Sequence, residues 1–148
     1  MAADLRCIED IIQLSASIRD TIQSSNNPYL TPAYKATNVS LRSFHYALIE
    51  ARVLIHSCEE AKELDSLHYT LQNVVERGGR CLRILQNQMN AILNGRDGKR
   101  WIPNVPTSSE IEILYDLRGE IDTYCSSLNK ELLFAGMWVS ARQRIAPN

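Results

Sequence analysis

The sequence predicts an all-α protein, an antiparallel bundle of four long helices, and three observations carry that prediction. The row Thr37, Leu41, Phe44, Leu48, Ala51, Ile55, Cys58 steps by four and three, which keeps one face of a helix apolar for about six turns. Leu67, Leu71, Val74, Gly78, Cys81 and Leu85 repeat the rhythm, with Ile92 continuing it beyond a polar Gln88. A third row, Ile111, Leu114, Leu117, Ile121, Tyr124, Leu128, Leu132, follows a gap bounded by prolines. A chain of 148 residues buries roughly 70% of the surface its unfolded form exposes. One domain spanning residues 1–148, held together without metal or disulfides, is therefore expected.

Taken in order, the first helix is expected from Asp4, a good N-cap, to about Ser24, with Leu5, Ile8, Ile11, Ile12, Leu14, Ile18 and Ile22 in a wide apolar band. Ser24, Ser25, Asn26, Asn27 and Pro28 stop it, because these polar residues favour turns and proline disfavours a helical predecessor. Thr31 before Pro32 starts the second helix, with a capping hydroxyl ahead of a proline whose missing N–H costs nothing there, and the helix is expected to reach Lys62. Asp65 or Ser66 caps a third helix running to Leu93. Gly78 and Gly79 stand in its middle, each about 1 kcal/mol worse than alanine in a helix interior. Gly78 falls on the apolar row itself, so a close helix crossing explains it better than a hinge. Asn94 and Gly95 end the helix, and residues 94–106 read as an ordered loop anchored by Trp101 and Ile102. Thr107 and Glu110 have capping-box spacing, so the fourth helix starts sharply there and is expected to run to about Gly136, with Met137, Trp138 and Val139 extending its apolar end.

Composition narrows the function classes. With 45% apolar residues, 22% charged residues and a formal net charge of −1, the chain has an ordinary globular make-up, and nucleic acid is not implied as a partner. Glu9, Asp10 and Gln13 interrupt the apolar residues near the N-terminus, so neither a signal-peptide core nor a spanning segment is present and a cytoplasmic protein is expected. Cys7, Cys58, Cys81 and Cys125 are far apart and sit at or beside apolar stripes, which fits reduced, buried thiols rather than a disulfide framework or a zinc site.

No residue constellation meets the requirements of catalysis, and no cofactor or metal is expected. Gly95 to Lys99 lacks the GxxxxGK spacing and the following hydroxyl of a phosphate loop, since Arg100 stands in the hydroxyl's place. His45 and His56 share nearly one helical side but lie three turns apart, about 16 Å, too far to share a metal. His68 has no close partner in sequence. Glu59 with Glu60, and Glu110 with Glu112, read as solvated helix ends, the latter pair opposing the positive end of a helix dipole. An enzyme would need a pocket between helices converging on His45, Tyr46, His56 or Tyr124.

Charge is unevenly spread. Arg77, Arg80, Arg83, Arg96, Lys99 and Arg100 face only Glu76 and Asp97, whereas Glu110, Glu112, Asp116, Glu120 and Asp122 face only Arg118. Matching of the third and fourth helices within one molecule is the simplest account. Docking of an acidic partner is the functional one, and Arg96, Lys99 and Arg100, around Gly98 and leading into Trp101, are its candidate binding residues. A protein surface is favoured there over lipid headgroups, because surface charges mainly accelerate association and fade with salt.

Trp101, Ile102 and Pro103, then Glu110, Ile111, Leu114, Leu117, Ile121 and the run Leu128, Asn129, Lys130, Glu131, Leu132, together with Leu71, Cys81, Leu85 and Leu93, form a pattern covering most of the chain. It resembles the helical N-terminal domain of fungal NLR-like STAND proteins, often grouped with HeLo-like domains. The resemblance implies a non-catalytic module that passes a signal to, or receives one from, a protein partner. Membrane-active relatives carry a glycine-rich apolar first segment where this chain has Asp4, Glu9, Asp10 and Asp20, so membrane association is not favoured and pore formation is not expected. The same domain type is associated with proteins of fungal polyketide (azaphilone) pigment clusters, which makes an accessory role in secondary metabolism the alternative.

Overall fold

The computed structural model describes residues 5–24, 31–57, 62–94 and 108–145, all of them helical. Helix α1 is Leu5–Ser24 and α2 is Thr31–Ser57; a short 3-10 turn, Lys62–Leu64, leads into α3, Asp65–Asn94, and α4 is Ser108–Ile145. The expected all-α class and its four helices are what the chain adopts, with no strand among the described residues.

The apolar rows are the interior. Leu41, Phe44, Leu48, Ala51 and Ile55 of α2 are buried with Leu67, Leu71, Val74, Cys81 and Leu85 of α3 and Leu114, Leu117, Ile121, Leu128 and Leu132 of α4. Ile8, Ile11, Ile12 and Ile18 close the core from α1. Thr37 is buried on the same row, and Cys58 lies outside the described residues.

Neighbours and directions follow from particular contacts. Glu9 pairs with Arg52 and the Ile12 carbonyl faces the His45 ring, so α1 and α2 run in opposite directions. Cys81 reaches the Leu117 carbonyl and Gln88 the Glu110 carbonyl, so α3 and α4 are likewise antiparallel. Phe44 of α2 reaches Gly78 in the middle of α3. Yet α2 and α3 touch only lightly. The broad contacts are α2 with α4, α3 with α4, α1 with α2 and α1 with α3, a ring in which the connection from α2 to α3 crosses the diagonal. Contacts thus set opposite directions for α1 with α2 and for α3 with α4, while α2 and α4 share the broadest face.

Gly78 and Gly79 sit in an unbroken α3 and admit two different neighbours. A Cβ on Gly78 would lie 3.1 Å from Phe44 Cζ, with Tyr124 also beside it, and one on Gly79 would lie 2.8 Å from Ile11 Cδ1. Each glycine makes room for the tip of a side chain from a neighbouring helix, not for a close approach of its backbone. Their poor helix propensity is offset by the packing their missing side chains allow.

Three expectations need correction. Lys62 belongs to the 3-10 turn, not to α2, whose described residues end at Ser57; the turn buries Leu64 and delivers the chain to Asp65. α4 continues nine residues past Gly136 to Ile145. Gly136 keeps helical rather than left-handed backbone, so it lowers propensity without ending the helix, and Trp138 and Val139 remain half-buried beyond it. Cys7 is exposed, because it stands one position off the buried row that starts at Ile8; Cys81 and Cys125 are buried as expected.

Candidate functional site

Residues suited to chemistry fall into separate environments. On the α1–α2 seam, His45 is half-buried, and burial first, then the nearby Arg19, pull its pKa below the ordinary imidazole value; the Ile12 carbonyl opposes them and Arg52 adds to the lowering. Ser15 Oγ and Arg19 Nε of α1 and the Tyr34 hydroxyl, Asn38 Oδ1 and His45 Nδ1 of α2 are buried without a protein hydrogen-bond partner. Burial pushes the Tyr34 phenol up to about 12. Ser15 and Arg19 are four residues apart on α1, and Asn38 and His45 seven apart on α2, so each pair shares one helix face.

A lowered imidazole pKa means that the unfolded chain binds the proton more readily than the folded one. Stability owed to His45 is then complete above the unfolded value of about 6.5 and is lost as pH falls through it. Thermal unfolding measured at about pH 7.5 and about pH 5 should show a drop in Tm on acidification that His45→Gln reduces. An equal drop in the variant would assign the acid sensitivity to other groups.

On the α3–α4 seam, the Cys81 thiol donates to the Leu117 carbonyl at 3.5 Å, and burial, reinforced by Glu120, pushes its pKa up to about 12. The Tyr124 phenol beside it is also raised, by burial, then Glu120 and Cys81, against Arg77 and Arg80. These shifts leave both groups protonated and poorly nucleophilic. Arg77, Arg80 and Glu120 acting on one phenol is local support for charge matching between α3 and α4.

His56 is exposed and lines a recess of about 330 Å³ with Glu9, Arg52, Val53 and Ser57, where the charges of Arg52 and Glu9 are already paired. Tyr46 is exposed, its ring edge-on to His45 at 6.0 Å between centroids and 5.8 Å from the Arg42 guanidinium. His68 is buried. The structure thus brings His45 and Tyr46 side by side but leaves His56 at the α2 end and Tyr124 on the other seam. Among the described residues, no three His, Cys, Asp or Glu side chains group as a metal site, and no helix is long and apolar enough to cross a membrane. Arg96, Lys99, Arg100 and Trp101 lie outside the described residues.

One surface was not anticipated from the sequence. Leu133, Phe134 and Met137 project from the outer side of α4 into solvent, and a recess of about 590 Å³ is lined there by Leu132, Leu133, Gly136, Met137, Ser140 and Ala141. The signal was present in Leu132 to Val139, seven hydrophobic residues interrupted only by Gly136, which is more than one helix face can bury.

Fold and surface together define a helical bundle with apolar side chains left over on its outer face. Compared with protein-family models, curated proteins and solved structures, the chain gives no match.

Proposed function

We propose that this chain is a non-catalytic, cytoplasmic helical module for protein interaction or signalling. The observation that carries the reading is the outer face of α4, where Leu133, Phe134 and Met137 are exposed although the core has no further use for them. Adjacent exposed apolar side chains mark contact surfaces more often than isolated ones do. The resemblance to the helical domain of fungal STAND proteins supports the same class, and Arg96, Lys99 and Arg100 are retained as the basic contact for an acidic partner. An accessory role in polyketide pigment formation rests on that resemblance alone; a neighbouring polyketide synthase gene would favour it, and a neighbouring NTPase gene would favour signalling.

Reversing Arg96, Lys99 and Arg100 to glutamate should leave Tm nearly unchanged and weaken capture of an identified, purified partner, with a loss that shrinks as salt rises. Retention of every partner by the reversed protein at physiological salt would remove the basic segment from the interface. Substrate turnover abolished by changing His45, Tyr46, His56 or Tyr124 would overturn the non-catalytic reading.

A further inference from the structure

The solvent side of α4 carries a stripe that is symmetric in both spacing and chemistry. Tyr115, Gly119, Asp122, Ser126, Lys130, Leu133 and Met137 follow one another by steps of four, three, four, four, three and four, the same read in either direction from Ser126. All seven are exposed, Tyr115 at 49%, Leu133 at 69% and Met137 at 64%. The stripe lies opposite the buried row Leu114, Leu117, Ile121, Leu128, Leu132, so α2 and α3 do not compete for it.

We infer that this face of α4 docks on the same face of a second copy of the chain, antiparallel, about a two-fold axis through Ser126. The inference deepens the interaction-module reading and rests on it, and it names the partner.

A two-fold axis sets each residue opposite its mirror position, and every such pairing here is complementary. Lys130 meets Asp122 of the second copy, and by symmetry this happens twice. Leu133 meets Gly119, where a Cβ would find nothing within 4 Å, so a large side chain lies over an open backbone position. Tyr115 meets Met137, an aromatic–thioether contact. Ser126 meets itself, and its small side chain lets the helices approach at the axis. Residues stepping by four and three along two helices interdigitate in this way, as in a short antiparallel coiled coil. The stripe from Tyr115 to Met137 is about 33 Å long at the helical rise.

The alternatives fit less well. Parallel pairing in register would set Asp122 on Asp122 and Lys130 on Lys130, two like-charge contacts with no compensation. Asp122 near the middle of the stripe, with Glu112, Asp116 and Glu120 exposed along the same helix, opposes a flat anionic lipid surface. An isologous interface requires one self-complementary patch, and this patch is self-complementary in charge, in size and in spacing.

The test is the mass in solution of the full chain, by sedimentation velocity across a concentration series. The parent should form a dimer whose fraction rises with concentration. Asp122→Lys alone places lysine opposite Lys130 twice, and Lys130→Asp alone places aspartate opposite Asp122 twice. Each single variant should be monomeric at concentrations where the parent is dimeric, and the double variant Asp122→Lys/Lys130→Asp should dimerise again. Both positions are exposed, so unchanged helical circular dichroism and Tm are expected in all three variants and separate lost association from lost folding. A parent that stays monomeric into the millimolar range overturns the inference, as do single variants that dimerise like the parent or a double variant that does not recover. None of those results touches partner capture by Arg96, Lys99 and Arg100, so the module reading stands or falls by its own measurement.

Discussion

Phe44→Ala is expected to lower the stability of the fold by about 3–5 kcal/mol. The ring is fully buried, and its Cζ lies 3.1 Å from where a Gly78 Cβ would be, with Tyr124 also close to that point. Three helices meet there. Removing the ring loses its transfer free energy and leaves a cavity that Gly78, having no side chain, cannot fill. Gly78→Ala alone pushes a methyl against the ring. In the Phe44→Ala background the same methyl enters empty space and adds about 1 kcal/mol of helix propensity, so the double variant should be more stable than Phe44→Ala. Urea unfolding of the four proteins gives the coupling directly. A Phe44→Ala loss under about 1 kcal/mol, or strictly additive effects, would show that the ring does not set the crossing.

Leu48→Ala should cost about 2–5 kcal/mol by the same measurement. Leu48 is fully buried one turn beyond Phe44, on the helix that shares broad faces with both α1 and α4. Packing from both sides limits collapse around the missing methyl groups, so the cavity term adds to the transfer term. A change within about 0.5 kcal/mol would place Leu48 at the surface and defeat the assignment of the α2 row to the core.

The rows of α2, α3 and α4 were legible because burial on one side of a helix imposes steps of three and four on the sequence itself. Gly78 was legible as a packing position because it occupied a row position where a leucine would otherwise stand. The ends of helices were less so. Gly136 reads as a stop only if its backbone turns left-handed, and residues 137–145 instead continue the helix. Ring order was not legible at all, since an apolar stripe states which face is covered and not by which helix. The outer stripe of α4 escaped for a related reason. Its residues mix aromatic, charged and small types, and they stand out only once the buried row of the same helix has been subtracted. Buried His68 and Tyr34 stand at helical spacing from Leu71 and Leu41, but their polar tips disguised positions that the core encloses. Arg96, Lys99 and Arg100 were found by charge alone, and charge density says what a surface attracts without saying how it is shaped.

The diagonal step from α2 to α3 has a kinetic consequence. Phe44 and Tyr124, which meet at Gly78, are about eighty residues apart in sequence, whereas α1 with α2, and α3 with α4, close over much shorter stretches of chain. Loop-closure entropy grows with the logarithm of the span, and local contacts form before distant ones compensate their cost. Assembly as two helical hairpins whose docking sets the barrier is therefore expected, and Phe44→Ala should slow folding more than a substitution whose contacts lie within one hairpin. The absence of side chains at Gly78 and Gly79 determines how closely the hairpins can approach before the rings and methyls of α1, α2 and α4 lock between them.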